Sequence, residues 1–178
     1  MDFTLGLIKS QHKNIDVMLA KKGDKRAFER LIDEHKLSLF RISKSILRKE
    51  EDVEDAFQET IIKAYKKIVH LKKEEYFKTW LIRIMINECN TILRNRKKTI
   101  YMEEINTRDS TIEDNYENFE LINAINSLEG ELRTVTLLFY YEDMPQKTIA
   151  EILGIPNGTV RSRLSRAREK LRELLNIE

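Results

Sequence analysis

The sequence predicts an all-α protein made of two small helical domains joined by an acidic flexible linker, the second domain carrying a helix-turn-helix. Three observations predict it. Hydrophobic residues, 41% of a 178-residue chain, recur in helical steps of three and four. Glycine and proline are scarce, at 5 and 2 residues, and no stretch alternates as a half-buried strand would. Between the two periodic regions, Glu103, Glu104, Asp109, Glu113, Asp114, Glu117 and Glu120 stand against a single Arg108. The expected plan is an extension over 1–14, a domain over 15–98, a linker over 99–118 without a core of its own, and a domain over 119–178.

Taken in order, residues 15–20 form a short helix that stops near Gly23, and Asp24 is the N-cap of the next. Over 25–48, Phe28, Ile32, His35, Leu39, Ile42 and Ile46 make the stripe of a helix buried along one face. A third helix over 50–69 buries Val53, Ala56, Phe57, Thr60, Ile61, Ala64, Tyr65 and Ile68. Its acids at the start and lysines at the end complement the helix dipole. The dipole leaves unexplained an outward ridge of Asp55, Gln58, Glu59 and Ile62, an apolar residue among polar ones that suits the docking of a basic partner helix.

A short basic loop precedes a fourth helix over 77–98, whose core face is Trp80, Leu81, Ile84, Met85, Cys89, Ile92 and Leu93. Arg83, Asn87, Asn90, Thr91 and Arg94 line another face, and Arg96, Lys97 and Lys98 close the helix. Bases at a helix end serve the dipole as well as they serve a nucleic acid, and the residues alone leave both readings open. Beyond the linker, Leu121, Ile125, Leu128, Leu132, Val135 and Phe139 resume the stripe, with Gly130 dividing it into two helices and Pro145 at the first position of the next.

The stretch from Gln146 carries the strongest signal. A short helix ends at Gly154-Ile155-Pro156 and a longer one follows, the arrangement that seats a second helix in the DNA major groove. At about 100° per residue, Val160, Leu164, Ala167 and Leu171 face Ile149, Ala150 and Leu153 of the first helix. Arg161, Ser162, Ser165 and Arg166 point the other way, with Arg163 and Arg168 on the flanks, as donors for base edges and phosphates. A solvated basic face is the simpler reading. It is weakened because Glu169 is the only acid between Pro156 and Arg172.

Other classes find less support. Cys89 is the only cysteine and the three histidines are scattered, so no disulfide, zinc cluster or other metal site is expected, and His35 belongs to a core stripe. There is no phosphate-cradling glycine loop, so neither an enzyme nor a cofactor is expected. The net charge of +2 hides local basic surfaces. The apolar residues within 1–14 are too few to span a bilayer or act as a signal, and a cytoplasmic protein without membrane insertion is expected. A stand-alone dimeric regulator would not need the acidic ridge or the Trp80 helix, and a structural adaptor would not need the basic helix.

The pieces KKGDKRAFERL at Lys21, EDVEDAFQETIIKAY at Glu51, FKTWLIRIMIN at Phe77 and IAEILGIPNGTVRSRLSRAREKLREL at Ile149 stand in one order. That order resembles the bacterial RNA polymerase sigma factors of the extracytoplasmic-function group, within the sigma-70 family. The resemblance implies a promoter-specificity subunit of core RNA polymerase, acting on promoter DNA with no small-molecule substrate. It implies that Asp55, Gln58 and Glu59 grip the polymerase clamp, which would account for Ile62. It assigns the minus-10 element to the fourth helix: Asn87 on the bases, Arg83, Asn90, Arg94, Arg96 and Lys97 beside it, and residues 70–75 near a flipped nucleotide. The minus-35 element falls to Arg161, Ser162, Ser165 and Arg166. The chain departs from the family pattern at Ile86, Thr91, Thr148, Ser165 and Leu128-Glu129. The family further implies an anti-sigma factor and a response to envelope or extracellular stress.

Overall fold

Asp24 starts a helix as its position foretells: its carboxylate accepts a hydrogen bond from the Ala27 amide at 3.1 Å. The computed structural model describes residues 14–100 and 119–175. Helices α1 (14–21), α2 (Lys25–Ile46), α3 (Glu50–Lys67) and α4 (Phe77–Ile100) form the first group. The second comprises α5 (Phe119–Ser127), α6 (Gly130–Thr136), α7 (Gln146–Leu153) and α8 (Asn157–Leu174). No strand occurs among the described residues. Of the expected extension over 1–14, residues 1–13 lie outside them and residue 14 already belongs to α1; of the expected linker over 99–118, residues 101–118 lie outside them and residues 99–100 continue α4.

In the first group α2 packs on α3 and α4. Of the expected α2 stripe, Phe28, His35, Leu39 and Ile42 are buried and Ile32 and Ile46 half-buried, while Leu31, which the stripe leaves out, is buried beside it. His35 is a packed core histidine, its ring 5.7 Å from that of Phe77. Helix α3 stops at Lys67, short of the expected residue 69, because the chain tightens into a 3-10 turn over Ile68–His70. A second such turn, Glu74–Tyr76, replaces the plain loop expected before α4. Tyr65 corrects the expected buried face of α3: it is 41% exposed. Its ring meets the ring of Phe28 edge-on at 5.1 Å, so it covers the core from outside, leaving its polar end to water.

Helix α4 is the central element. Leu81, Met85 and Cys89 are buried as expected, but so are Ile82 and Ile86, which a single-stripe reading left out. Full burial of each such aliphatic side chain is worth about 1.5–3 kcal/mol.

Gly130 does divide the next stripe into α5 and α6. Helix α6 then widens into a π turn, Leu137–Tyr141, which buries Leu137 and Leu138 while leaving Tyr140 and Tyr141 exposed. The chain reverses at Asp143, whose φ of 52° is left-handed, a conformation that aspartate tolerates better than most residues. Pro145 sits one residue ahead of its expected place, before the first helical residue Gln146. At the other end of α7, Gly154 is left-handed with φ 66°, and its amide and that of Ile155 both donate to the Ala150 carbonyl, which turns the chain into α8.

The two groups meet. Helix α6 packs on α2 and α7 on α4, and one apolar cluster joins Ile42 and Met85 to Val135, Leu138 and Ile149. The contact of α7 with both α4 and α8 explains why Ile152 is buried although it lies off the stripe facing α8. Ser45 Oγ and Thr134 Oγ1, 3.0 Å apart and buried, bridge α2 and α6.

Candidate nucleic-acid interface

Helix α8 buries Val160, Leu164 and Ala167 and so turns its other side outward. Val160 and Leu164 share the apolar cluster of Ile149 and Ala150 of α7 as expected, whereas Ala167, with Leu171 against it, packs with Leu128 and Leu132 instead. Arg161, Ser162, Ser165 and Arg166 are all exposed, as the helical angle requires. The flanks differ. Arg163 donates to a carboxylate oxygen of Glu131, and Lys170 Nζ lies 2.6 Å from Glu129 Oε1, both acids standing at the start of α6. The Lys170 ammonium, with Arg166 nearby, holds the Glu129 carboxyl below its ordinary pKa. Local sequence could not reveal these pairs, because their members are separated by 32 and 41 residues.

Helix α4 presents a second polar line. Arg83, Asn87, Asn90 and Arg94 are exposed and fall within about 60° of one another around the helix. Thr91 Oγ1 donates to the Asn87 carbonyl at 2.8 Å and accepts from Arg94 Nη2 at 3.1 Å, which steadies the arginine beside the asparagine. Arg96 does not join them. It lies about 200° beyond Arg94, and its Nη2 is 2.6 Å from Oδ1 of the buried Asp52. Asp52 is thus more than a dipole partner: it ties the start of α3 to the end of α4. Lys97 lies where the side chains are outside the described residues.

The turn before α4 adds an aromatic that the sequence reading passed over. Tyr76 is 53% exposed, and Lys73 Nζ sits 5.6 Å from its ring centre. An exposed ring beside a base suits stacking on an unpaired nucleotide. Its signal was the placement of an aromatic three residues after a lysine. Lys21 Nζ contacts Glu74 Oε1 at 2.7 Å, and this bond holds the Glu74 carboxyl below its usual pKa.

On α3, Asp55, Gln58, Glu59 and Ile62 are all exposed, Ile62 by 44%, so the ridge stands clear of the core. Lys63 beside it bonds to the buried Glu88 of α4 and lies 3.8 Å from Glu59 Oε2. Glu88 escaped the sequence reading because it falls among the core positions of α4.

Residues 31–99 match the model of sigma-70 region 2, and residues 118–171 that of sigma-70 region 4. The ECF RNA polymerase sigma factor SigW of Bacillus subtilis is 33% identical, over 95% of this chain and 97% of its own. The chain belongs to the extracytoplasmic-function group of sigma-70 RNA polymerase sigma factors.

The RNA polymerase sigma factor SigV of the same bacterium is 30% identical, over 90% of this chain and 98% of its own. Among solved structures, the sigma factor RpoE of Bartonella quintana in complex with the anti-sigma factor NepR is similar with a TM-score of 0.72 and 26% identity, covering 85% of this chain and 98% of that one. CnrH in complex with the cytosolic domain of CnrY follows at a TM-score of 0.64 and 25% identity, covering 94% and 99%. Within this sigma factor the region 2 match takes in the α3 ridge and the α4 line, and the region 4 match takes in the two helices around Gly154. Among the described residues no helix is long and apolar enough to cross a membrane, and no group of His, Cys, Asp and Glu could hold a metal ion.

Proposed function

We propose that this sigma factor joins core RNA polymerase through Asp55, Gln58, Glu59 and Ile62 of α3, and directs it to promoters read at two elements. The domain over 15–98 reads the minus-10 element, with Asn87 and Asn90 on bases and Arg83, Arg94 and Lys97 on the backbone. Arg96 orients the end of α4 through Asp52 before it meets any phosphate. The domain over 119–178 reads the minus-35 element with Arg161, Ser162, Ser165 and Arg166. The observation that carries the reading is the coexistence, in one chain, of an exposed acidic ridge and two exposed donor-rich helix faces. Two modest DNA contacts held on one polymerase reinforce each other through effective concentration.

The chain acts without catalysis of its own and without a cofactor, in the cytoplasm where core polymerase and promoter DNA are. An anti-sigma factor restrains it until an envelope or extracellular stress releases it; that solved relatives include a sigma factor with an anti-sigma factor supports this reading. The test is transcription by bacterial core polymerase on sheared host DNA, with and without the protein, followed by sequencing of transcript starts. Starts that require the protein and share two spaced upstream elements are expected. No new starts, with no association with core enzyme, would overturn the reading.

A further inference from the structure

The two flanks of α8 carry opposite electrostatics, although both are rich in bases. On the side facing α6, Arg163 and Lys170 are already occupied by Glu131 and Glu129. A cleft there is lined by these two acids with Arg163 and Lys170, by Glu169 and Glu173 of α8, and by Arg166 at its outer edge toward the exposed face. On the other side Arg161, Arg168 and Arg172 project in one line, within about 40° of each other at seven- and four-residue steps. All three are exposed, and none forms an ion pair among the described residues. A phosphate approaching the first side meets carboxylates and must displace them from their partners. On the second side it meets three free guanidinium groups, each able to bind it in a bidentate fashion.

We propose that Arg161, Arg168 and Arg172 form a phosphate rail, and that Glu129 and Glu131 are positioning residues that make DNA contact one-sided. By occupying Lys170 and Arg163, the two acids remove these bases from the sequence-independent contact. The helix is thereby held against one strand of the groove, with Arg166 at the base edges. The binding energy then rests less on phosphates anywhere and more on the correct bases. This inference rests on the reading of α8 as the minus-35 helix.

The test is the salt dependence of promoter binding by the reconstituted holoenzyme. The probes are a labelled promoter fragment recovered by start mapping and a random duplex of the same length. The logarithm of the binding constant falls with log[KCl] by about 0.9 for each phosphate neutralised. Arg168→Ala with Arg172→Ala should reduce the slope by roughly 2. Arg163→Ala with Lys170→Ala should leave it unchanged. Glu129→Gln with Glu131→Gln frees two bases, so it should steepen the slope by roughly 2 and narrow the preference for promoter over random DNA. The pairs are at the surface, so the fold tolerates their loss; melting curves check this. Equal slopes for the two base-removal variants, or no change on neutralising the glutamates, would overturn the rail. If Arg166→Ala also leaves promoter choice unchanged, the minus-35 reading itself has failed.

Discussion

Lys78 Nζ lies 2.9 Å from Oε2 of Glu142 and 3.2 Å from the same residue's carbonyl oxygen, so one ammonium at the start of α4 holds the end of the π turn by side chain and backbone together. The Glu142 side chain is only 5% exposed, whereas that of Lys78 is 40% exposed. Removing the lysine therefore strands a nearly buried carboxylate, while removing the glutamate leaves an ammonium that water can still reach. Lys78→Ala should cost about 1–3 kcal/mol in urea unfolding, and Glu142→Gln, which keeps an acceptor, clearly less. The reverse order would mean that the carboxylate is not held at this junction.

Ser45 and Thr134 offer a sharper test of the same junction. Ser45 Oγ donates to the Ile42 carbonyl at 2.7 Å, Thr134 Oγ1 donates to the Gly130 carbonyl at 2.8 Å, and the two hydroxyls are 3.0 Å apart. Each has one proton, so the three contacts cannot all be made at once, and the pair shares what it has. Ser45→Ala and Thr134→Val should each cost about 1 kcal/mol, and the double variant less than the sum by about 0.5 kcal/mol or more. Strict additivity in denaturant melts would show that α2 and α6 do not meet through these groups.

This junction marks where the sequence stopped being legible. The Asp24 cap, the α2 stripe, the break at Gly154 and the outward face of α8 all follow from periods and turn chemistry within about twenty residues, and the structure has them as expected. Ile82, Ile86 and Ile152 could not be placed, because their burial depends on a second neighbour that a one-face stripe does not describe. The partners of the charged residues are hidden in the same way: the sequence leaves Arg96 open between helix dipole and nucleic acid and sets Arg163 among the donors, whereas Asp52 and Glu131 reach them from distant segments, as Glu129 reaches Lys170.

The α3 ridge predicts a separation of stability from capture. Gln58 and Glu59 are exposed, and the nearest cation to Glu59, Lys63, has Glu88 as its closer partner. Gln58→Ala with Glu59→Ala should leave the helical signal and melting temperature unchanged. It should weaken binding to core polymerase by roughly 1–3 kcal/mol, about a 5- to 150-fold rise in Kd. Native gel titration against core enzyme checks it, and unchanged capture would move the contact off this ridge.

Cys89 supplies a pH-dependent probe of α4. Its side chain is fully buried, and loss of water around the thiol pushes its pKa up to about 12. An unfolded cysteine ionises near 8.5. The folded state therefore binds the proton more tightly than the unfolded one, so this contribution to stability is complete below about pH 8.5 and drains away as the pH rises toward the folded value. Two results should follow. At neutral pH the native protein should react with a thiol reagent only at the rate of opening, while urea-unfolded protein reacts at once. Between about pH 9 and 11 the wild type should lose stability faster than Cys89→Ala, which has no thiol to ionise. Rapid modification of the native chain at pH 7 would mean that α4 opens around Cys89 far more readily than its packing implies.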